Sequence, residues 1–234
     1  MKAVLRGEDG AVQVWLNGGG LVDATIPSGS TLLFAAAARG HEEVAALLLA
    51  RGAAVNQGIV GGCTPLYAAC QEGHLMCARL LLKASAAVNQ AKDDGATPLH
   101  VACWNGCFDI VQLLLEADAA VDQAADGGFT PLHIACHEGH PAVVLCLLRA
   151  GADTAARTSG GRTALQLAKE QGHAECVKAL SEEAARREAA AAAAAADCRA
   201  GAGGASSGAA AAAVDAPLLG QRVVLGGLSA RPEL

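Results

Sequence analysis

Residues 133–140 read HIACHEGH, three histidines and a cysteine in eight positions. Wound as a helix, His133, Cys136, His137 and His140 fall at i, i+3, i+4 and i+7, on one face. Imidazoles and a thiolate converging on one face are the donor set of a zinc site, so a metal centre, and with it an enzyme, is the first reading to test. Other chemistry is sparse. The glycine cluster GIVGG at 58–62 does not sit between a strand and a helix, as a phosphate-cradling loop must. Serines, histidines and aspartates occur without a recognisable nucleophile arrangement, and no carboxylate pair stands out from ordinary charged helix faces.

The elements that would carry HIACHEGH follow from a repeat. Thr31, Thr64, Thr97, Thr130 and Thr163 are spaced 33 residues apart without an insertion. After them the chain reads TLLFAAAARGH, TPLYAACQEGH, TPLHVACWNGC, TPLHIACHEGH and TALQLAKEQGH. Each copy continues into an apolar stretch such as EEVAALLLARGAAVN or FDIVQLLLEADAAVD, and residues 6–23 align without gaps to 39–56 as a partial preceding copy. Thr-Pro-Leu predicts a helix start, with Thr capping and Pro in the first turn. Gly40, Gly73, Gly106, Gly139 and Gly172 predict its left-handed end. The leucine triplets supply the apolar stripe of a second helix. One such pair cannot bury its own face, but a stack of pairs can.

The 33-residue period and the motif T-P-L-H-x-A, nearly complete in TPLHVAC and TPLHIAC, resemble the ankyrin-repeat family over residues 1–183. The resemblance implies an all-α solenoid of antiparallel helix pairs with protruding β-turn fingers. It predicts a partial repeat at 1–30 and repeats at 31–63, 64–96, 97–129, 130–162 and 163–183. Ser85 and Asp118 stand where the family favours glycine after the second helix, so the turns there are expected to be slightly weakened. Repeat one lacks the proline and repeat five has Ala164 in its place, as terminal repeats tolerate.

The register dissolves the metal site. His133 is equivalent to His100, Tyr67 and Gln166. Cys136 aligns with Cys70 and Cys103, and His140 with His41, His74 and His173, which leaves only His137 outside the pattern. Neighbouring helices lie roughly 8–10 Å apart. A cysteine ladder at that spacing suits neither zinc, with sulfur about 2.3 Å from the metal, nor a disulfide, with Cα atoms closer than about 7 Å. The cysteines read as small buried hydrophobes, and neither a metal nor another cofactor is expected.

Composition narrows the rest. Hydrophobic residues reach 53% and mean hydropathy is +0.32, but alanine dominates and no run of about 18 strongly apolar residues could span a bilayer. The net charge of −6 argues against nucleic acid as a partner. Nine cysteines and an opening MKAVLRGEDGAV without an export pattern predict a reducing compartment, the cytoplasm with the nucleus as alternative.

Subtracting the repeat leaves the finger tips and the exposed ends of the first helices. The residues so selected for partner binding are Arg39, Gln71, Glu72, Asp93, Asp94, Trp104, Asn105, Phe129, His137, Glu138 and Arg162. Trp104 and Phe129 are large apolar residues at positions the family exposes; one reading makes them binding anchors, the other local packing between turns. Glu72, Asp93, Asp94, Asp126 and Glu138 are expected around them as an acidic rim, which suits a basic or amphipathic segment of another protein. The resemblance also implies that Asn56 and Asn89 in the V-N turns, each eight residues after a leucine (Leu48, Leu81), could be hydroxylated; hydrogen bonding within the turn is the expected role.

Residues 184–217 predict an alanine-rich helix extension, with Arg186 and Arg187 on a solvated face, followed by a flexible, disordered Ala/Gly-rich linker. Residues 218–234 show β-like alternation suggesting the start of a further module. The expectation is a monomeric, non-enzymatic interaction scaffold. Its alternative is the recognition arm of a larger signalling or ubiquitin-ligase adaptor protein, of which this chain would be a fragment.

Overall fold

The computed structural model describes the backbone of residues 2–202 and the side chains of residues 2–193; the expected linker past residue 202 and the segment 218–234 lie outside the described residues. The chain divides into a compact unit up to Ala189 and a second from Ala190, and the first carries the repeats.

Among the described residues there are helices and turns but no extended strand. First helices are α1 (Lys2–Arg6), α3 (Leu32–Arg39), α5 (Pro65–Gln71), α7 (Pro98–Trp104), α9 (Pro131–Glu138) and α11 (Ala164–Gln171). They alternate with second helices α2 (Asp9–Asn17), α4 (Glu42–Ala50), α6 (Leu75–Lys83), α8 (Phe108–Glu116), α10 (Pro141–Arg149) and α12 (Ala174–Ala202). The first helices stack on one another from α1 to α11, and the second helices from α2 to α10.

Every first helix from α3 onward starts just after the predicted threonine. Thr31, Thr64 and Thr163 accept the backbone N–H three residues on. In the TPLH repeats the histidine completes the cap. His100 Nδ1 accepts the N–H of Thr97 at 3.2 Å and its hydroxyl at 2.7 Å, while Nε2–H donates to Phe129 O at 3.0 Å. His133 does the same with Thr130 and Ala156 O. In repeat five the Gln166 amide oxygen accepts the Thr163 N–H at 2.9 Å. These are reciprocal caps with one partner ring spanning to the following finger.

The core is built of small and aliphatic residues in register. Ala36, Ala69, Ala102, Ala135 and Ala168 are fully buried, letting the first helices approach closely. Leu48, Leu81, Leu114 and Leu147 fill the space behind them, each worth about 1.5–3 kcal/mol on burial. Cys70, Cys103 and Cys136 are likewise completely buried beside the alanines, and burial pushes their thiols well up from the ordinary range.

A second ladder ties the repeats at the turn between helices. The glycines ending the first helices all have positive φ, as predicted. At four of them the lack of a side chain serves a further purpose, because the histidine of the next repeat lies directly over the glycine. A Cβ on Gly7, Gly40, Gly106 or Gly139 would sit 2.7, 2.6, 2.6 or 2.5 Å from the ring of His41, His74, His140 or His173. From this position His41, His140 and His173 donate through Nε2 to the carbonyls of Leu5, Trp104 and His137.

Ser85 and Asp118 adopt φ of 65° and 61°, the left-handed conformation that glycine takes at Gly52 and Gly151. The weakening expected of those turns rests on this backbone conformation, which costs an L residue roughly 1–2 kcal/mol. The V-N turns form a further ladder. Asp23, Asn56, Asn89 and Asp122 each accept, at 2.8–2.9 Å, a backbone N–H from the next repeat. Asn56 and Asn89 thus do the same inter-repeat work as two aspartates. At the far end, Arg187 is not merely solvated: it pairs with Glu183 at 2.9 Å and donates to Ala152 O at 3.2 Å.

Candidate functional site

The finger tips form the front wall of the candidate site. Each finger closes on itself, as Lys92 N donates to Ala96 O, Ala125 N to Phe129 O and Thr158 N to Arg162 O. Successive fingers are then joined tip to tip by Asp93 N to Gly61 O, Asp126 N to Asp94 O and Ser159 N to Gly127 O, at 2.7–3.1 Å. These bonds hold the fingers at a constant spacing beside the first helices.

The wall opens at repeats two to four, where side-chain sizes change. The finger position occupied by Ile26, Ile59, Lys92 and Thr158 is Ala125 in repeat three. The finger end occupied by Ser30, Cys63 and Arg162 is Ala96 before repeat three and Phe129 after it. On the helix side the position of Ala38 and Gln71 becomes Trp104. Small residues in the middle and large ones on either side leave a cavity of about 540 Å³, lined by Tyr67, Gln71, Asp94, Ala96, His100, Val101, Trp104, Asn105, Ala125, Asp126, Phe129 and Ile134. A niche of about 160 Å³ adjoins it between Trp104, Phe129, Ile134 and His137. A third hollow of about 310 Å³ follows along Phe129, His137, Thr158, Arg162 and Gln171. The three share Phe129 or Trp104 and run in one direction across the stack.

The scaffold ladders hold the walls in place. Trp104 is 55% exposed, yet its carbonyl is pinned by His140 and its ring stacks on His137 with centroids 6.5 Å apart. His137 is fixed in turn by Glu138 at Nδ1 (2.7 Å), Gln171 at Nε2 (3.2 Å) and His173 at its carbonyl. Phe129 is half-buried rather than exposed, because its ring stands edge-on to the buried His133 at 6.3 Å. Phe129 thus packs locally on one side and lines all three hollows on the other.

Charge is unevenly placed. Lys92 lies 5.3 Å over the Tyr67 ring and 2.9 Å from Asp94. The hydrogen bond to Lys92, then that from the Ala96 N–H, hold the Asp94 carboxyl below the usual range, and the bond to Asp94 raises Lys92. No lysine or arginine lines the main cavity, whereas Asp94 and Asp126 both do, and Asp126 makes no ion pair among the described residues. His100 at the floor is kept neutral by burial, which lowers its pKa, and by the threonine cap on Nδ1.

Of the residues selected from sequence, Gln71, Asp94, Trp104, Asn105 and Phe129 meet in the main cavity, and His137 and Arg162 line the hollows beyond. Asn105 carries a structural duty as well, donating to Gln71 O at 2.7 Å. Arg162 pairs with Glu170 at 2.6 Å. Glu72 accepts from Gln71, Glu138 binds His137, and Asp93 joins the finger ladder, none of them lining these hollows. Arg39 lies on repeat one, where it donates to Leu5 O. Tyr67, Val101, Ala125 and Ile134 escaped selection because they sit at scaffold positions. The signal that could have found them is the change of side-chain size along each repeat position.

The HIACHEGH residues are taken up elsewhere. His133 caps α9, His140 bonds the Trp104 carbonyl, Cys136 is sealed in the core, and only His137 faces the groove. Among the described residues no group of three or more histidines, cysteines and acids is placed to hold a metal ion, and no helix is long and apolar enough to cross a membrane.

A family model described as ankyrin repeats in three copies matches residues 1–92, 55–125, 84–158 and 117–191. No curated protein matches the chain.

Proposed function

The chain belongs to the ankyrin-repeat family, whose members are generally protein–protein interaction modules, and from that premise we propose that it is a non-enzymatic, monomeric scaffold of the cytoplasm. Its groove across repeats two to four receives a segment of another protein. The observation that carries this reading is the exposed Trp104, held between His137 and a cavity of about 540 Å³ by bonds that belong to the scaffold. A tryptophan kept half in water by a rigid support has its burial energy in reserve for a partner, and such aromatics dominate binding energetics. The acidic lining favours a basic or amphipathic segment.

Affinity purification with the wild-type chain and the Trp104→Ala variant tests the reading. Truncation should remove partner proteins from the eluate, a loss of about 2 kcal/mol or more in affinity, while the helical circular dichroism and melting stay as they are. Identical partner profiles for the two forms would overturn it.

A further inference from the structure

Lys92 provides an internal example of what the groove can hold. Its ammonium lies over the Tyr67 ring and bonds Asp94 at 2.9 Å, at the seam between repeats two and three. One repeat later there is no cation and the carboxylate has shifted by one residue: Gly127 stands in place of Asp94, and the acid of that finger is Asp126, in place of Asp93. Ala125 stands in place of Lys92 and His100 in place of Tyr67, and the volume that a long side chain would fill is part of the main cavity. The walls that remain suit such a side chain: Val101 and Ala125 for its methylenes, the Asp126 carboxylate for its charge, and the exposed Trp104 ring beside it. His100 does not compete for that carboxylate, because its Nε2–H is spent on Phe129 O and its Nδ1 on Thr97.

Resting on the groove assignment above, we infer that the partner is a protein segment that inserts a lysine or arginine side chain into the gap left by Ala125, with a neighbouring apolar side chain in the niche of Trp104, Phe129, Ile134 and His137. Two contacts of different chemistry a few ångströms apart make the recognition bipartite. The niche contributes apolar burial that any aliphatic or aromatic residue satisfies. The Asp126 side contributes charge, which rejects acidic and neutral segments.

A positional-scanning library of synthetic, end-blocked decapeptides, titrated against the full chain by fluorescence polarisation, supplies the probe. The wild type should select lysine or arginine next to an aliphatic or aromatic residue. Asp126→Asn should weaken the best peptide about tenfold, and replacing the peptide's lysine with norleucine should cost about the same without adding to the Asn effect. Ala125→Lys places an ammonium in the gap from within the chain, next to Asp126. Since position 92 already carries lysine, the fold should tolerate it, and with unchanged circular dichroism it should abolish binding. Selected peptides that depend on Trp104 but carry no basic residue, or bind Ala125→Lys as well as wild type, would overturn this inference and leave the groove assignment standing. An absence of any Trp104-dependent peptide would sink both.

Discussion

The junction between repeats two and three differs from the junctions on either side of it. At the four others from the partial repeat to repeat five, a histidine ring lies on the left-handed glycine of the preceding repeat. At this one the position holds Cys107, whose sulfur would be 3.8 Å from a Cβ on Gly73, an ordinary contact. The carbonyl that the histidine would take, Gln71 O, is held instead by the Asn105 amide. The bond survives, but its donor has moved from the turn to the groove wall beside Trp104. Repeats two and three also carry the two non-glycine left-handed turns, Ser85 and Asp118. The difference teaches that the array relaxes its own rules next to the candidate site. Residues that elsewhere serve only stacking serve both stacking and the groove there.

The largest expected effect breaks the comparison at its glycines. Gly139→Ala puts a methyl 2.5 Å from the His173 ring in a left-handed backbone, so the ring must leave the His137 carbonyl. Left-handed strain and overpacking together should cost about 3 kcal/mol in urea denaturation. Gly73→Ala meets only the strain and should cost about 1–2 kcal/mol. Equal losses would mean that the histidine ladder yields without resistance.

Acid comes next and tests the caps rather than the struts. Burial lowers the pKa of His100 and His133, so the unfolded chain binds protons that the folded chain refuses. Their contribution is therefore complete above about pH 6.5, the unfolded imidazole value, and is lost as pH falls below it, at up to about 1.4 kcal/mol per histidine per pH unit. Replacing both with glutamine, which already makes this cap at Gln166, should flatten the stability profile between pH 7 and 5. A double variant with the wild-type slope would show that the acid sensitivity lies elsewhere.

The smallest effect sharpens the contrast. Cys107→His should seat a ring over Gly73, where there is room, and compete with Asn105 for Gln71 O. A gain of about 1 kcal/mol is expected in the same urea titration. No gain would mean that Asn105 already replaces the histidine in full.

Much of this was legible in the letters. Thr-Pro-Leu at fixed spacing located the first helices to within a residue, because a cap and a proline at the first turn permit little else. The glycines and the two exceptions at Ser85 and Asp118 followed from backbone sterics alone. The candidate site was half legible. Trp104, Phe129, Gln71, Asn105 and Asp94 were chosen because they break the repeat, and they meet in one groove. Glu72 and Glu138 were chosen on the same ground but are spent on neighbours, since a charge in the sequence does not disclose its partner, while Asp93 joins the finger ladder through its backbone N–H and lines none of the hollows. Ala125 was invisible as a site residue, because a groove is made by what is missing.

By itself, then, the sequence determined the repeat, its helix starts and its left-handed turns, all of which depend on interactions within a few residues of each other. The tertiary structure alone decided that HIACHEGH would be divided among a cap, a core ladder, a strut and a groove wall, and that Asn105 would do a histidine's work. Those outcomes depend on groups about 33 residues apart brought into contact by stacking. A period in the sequence states that they will meet, but only the packed geometry states which atoms bond and where a space is left.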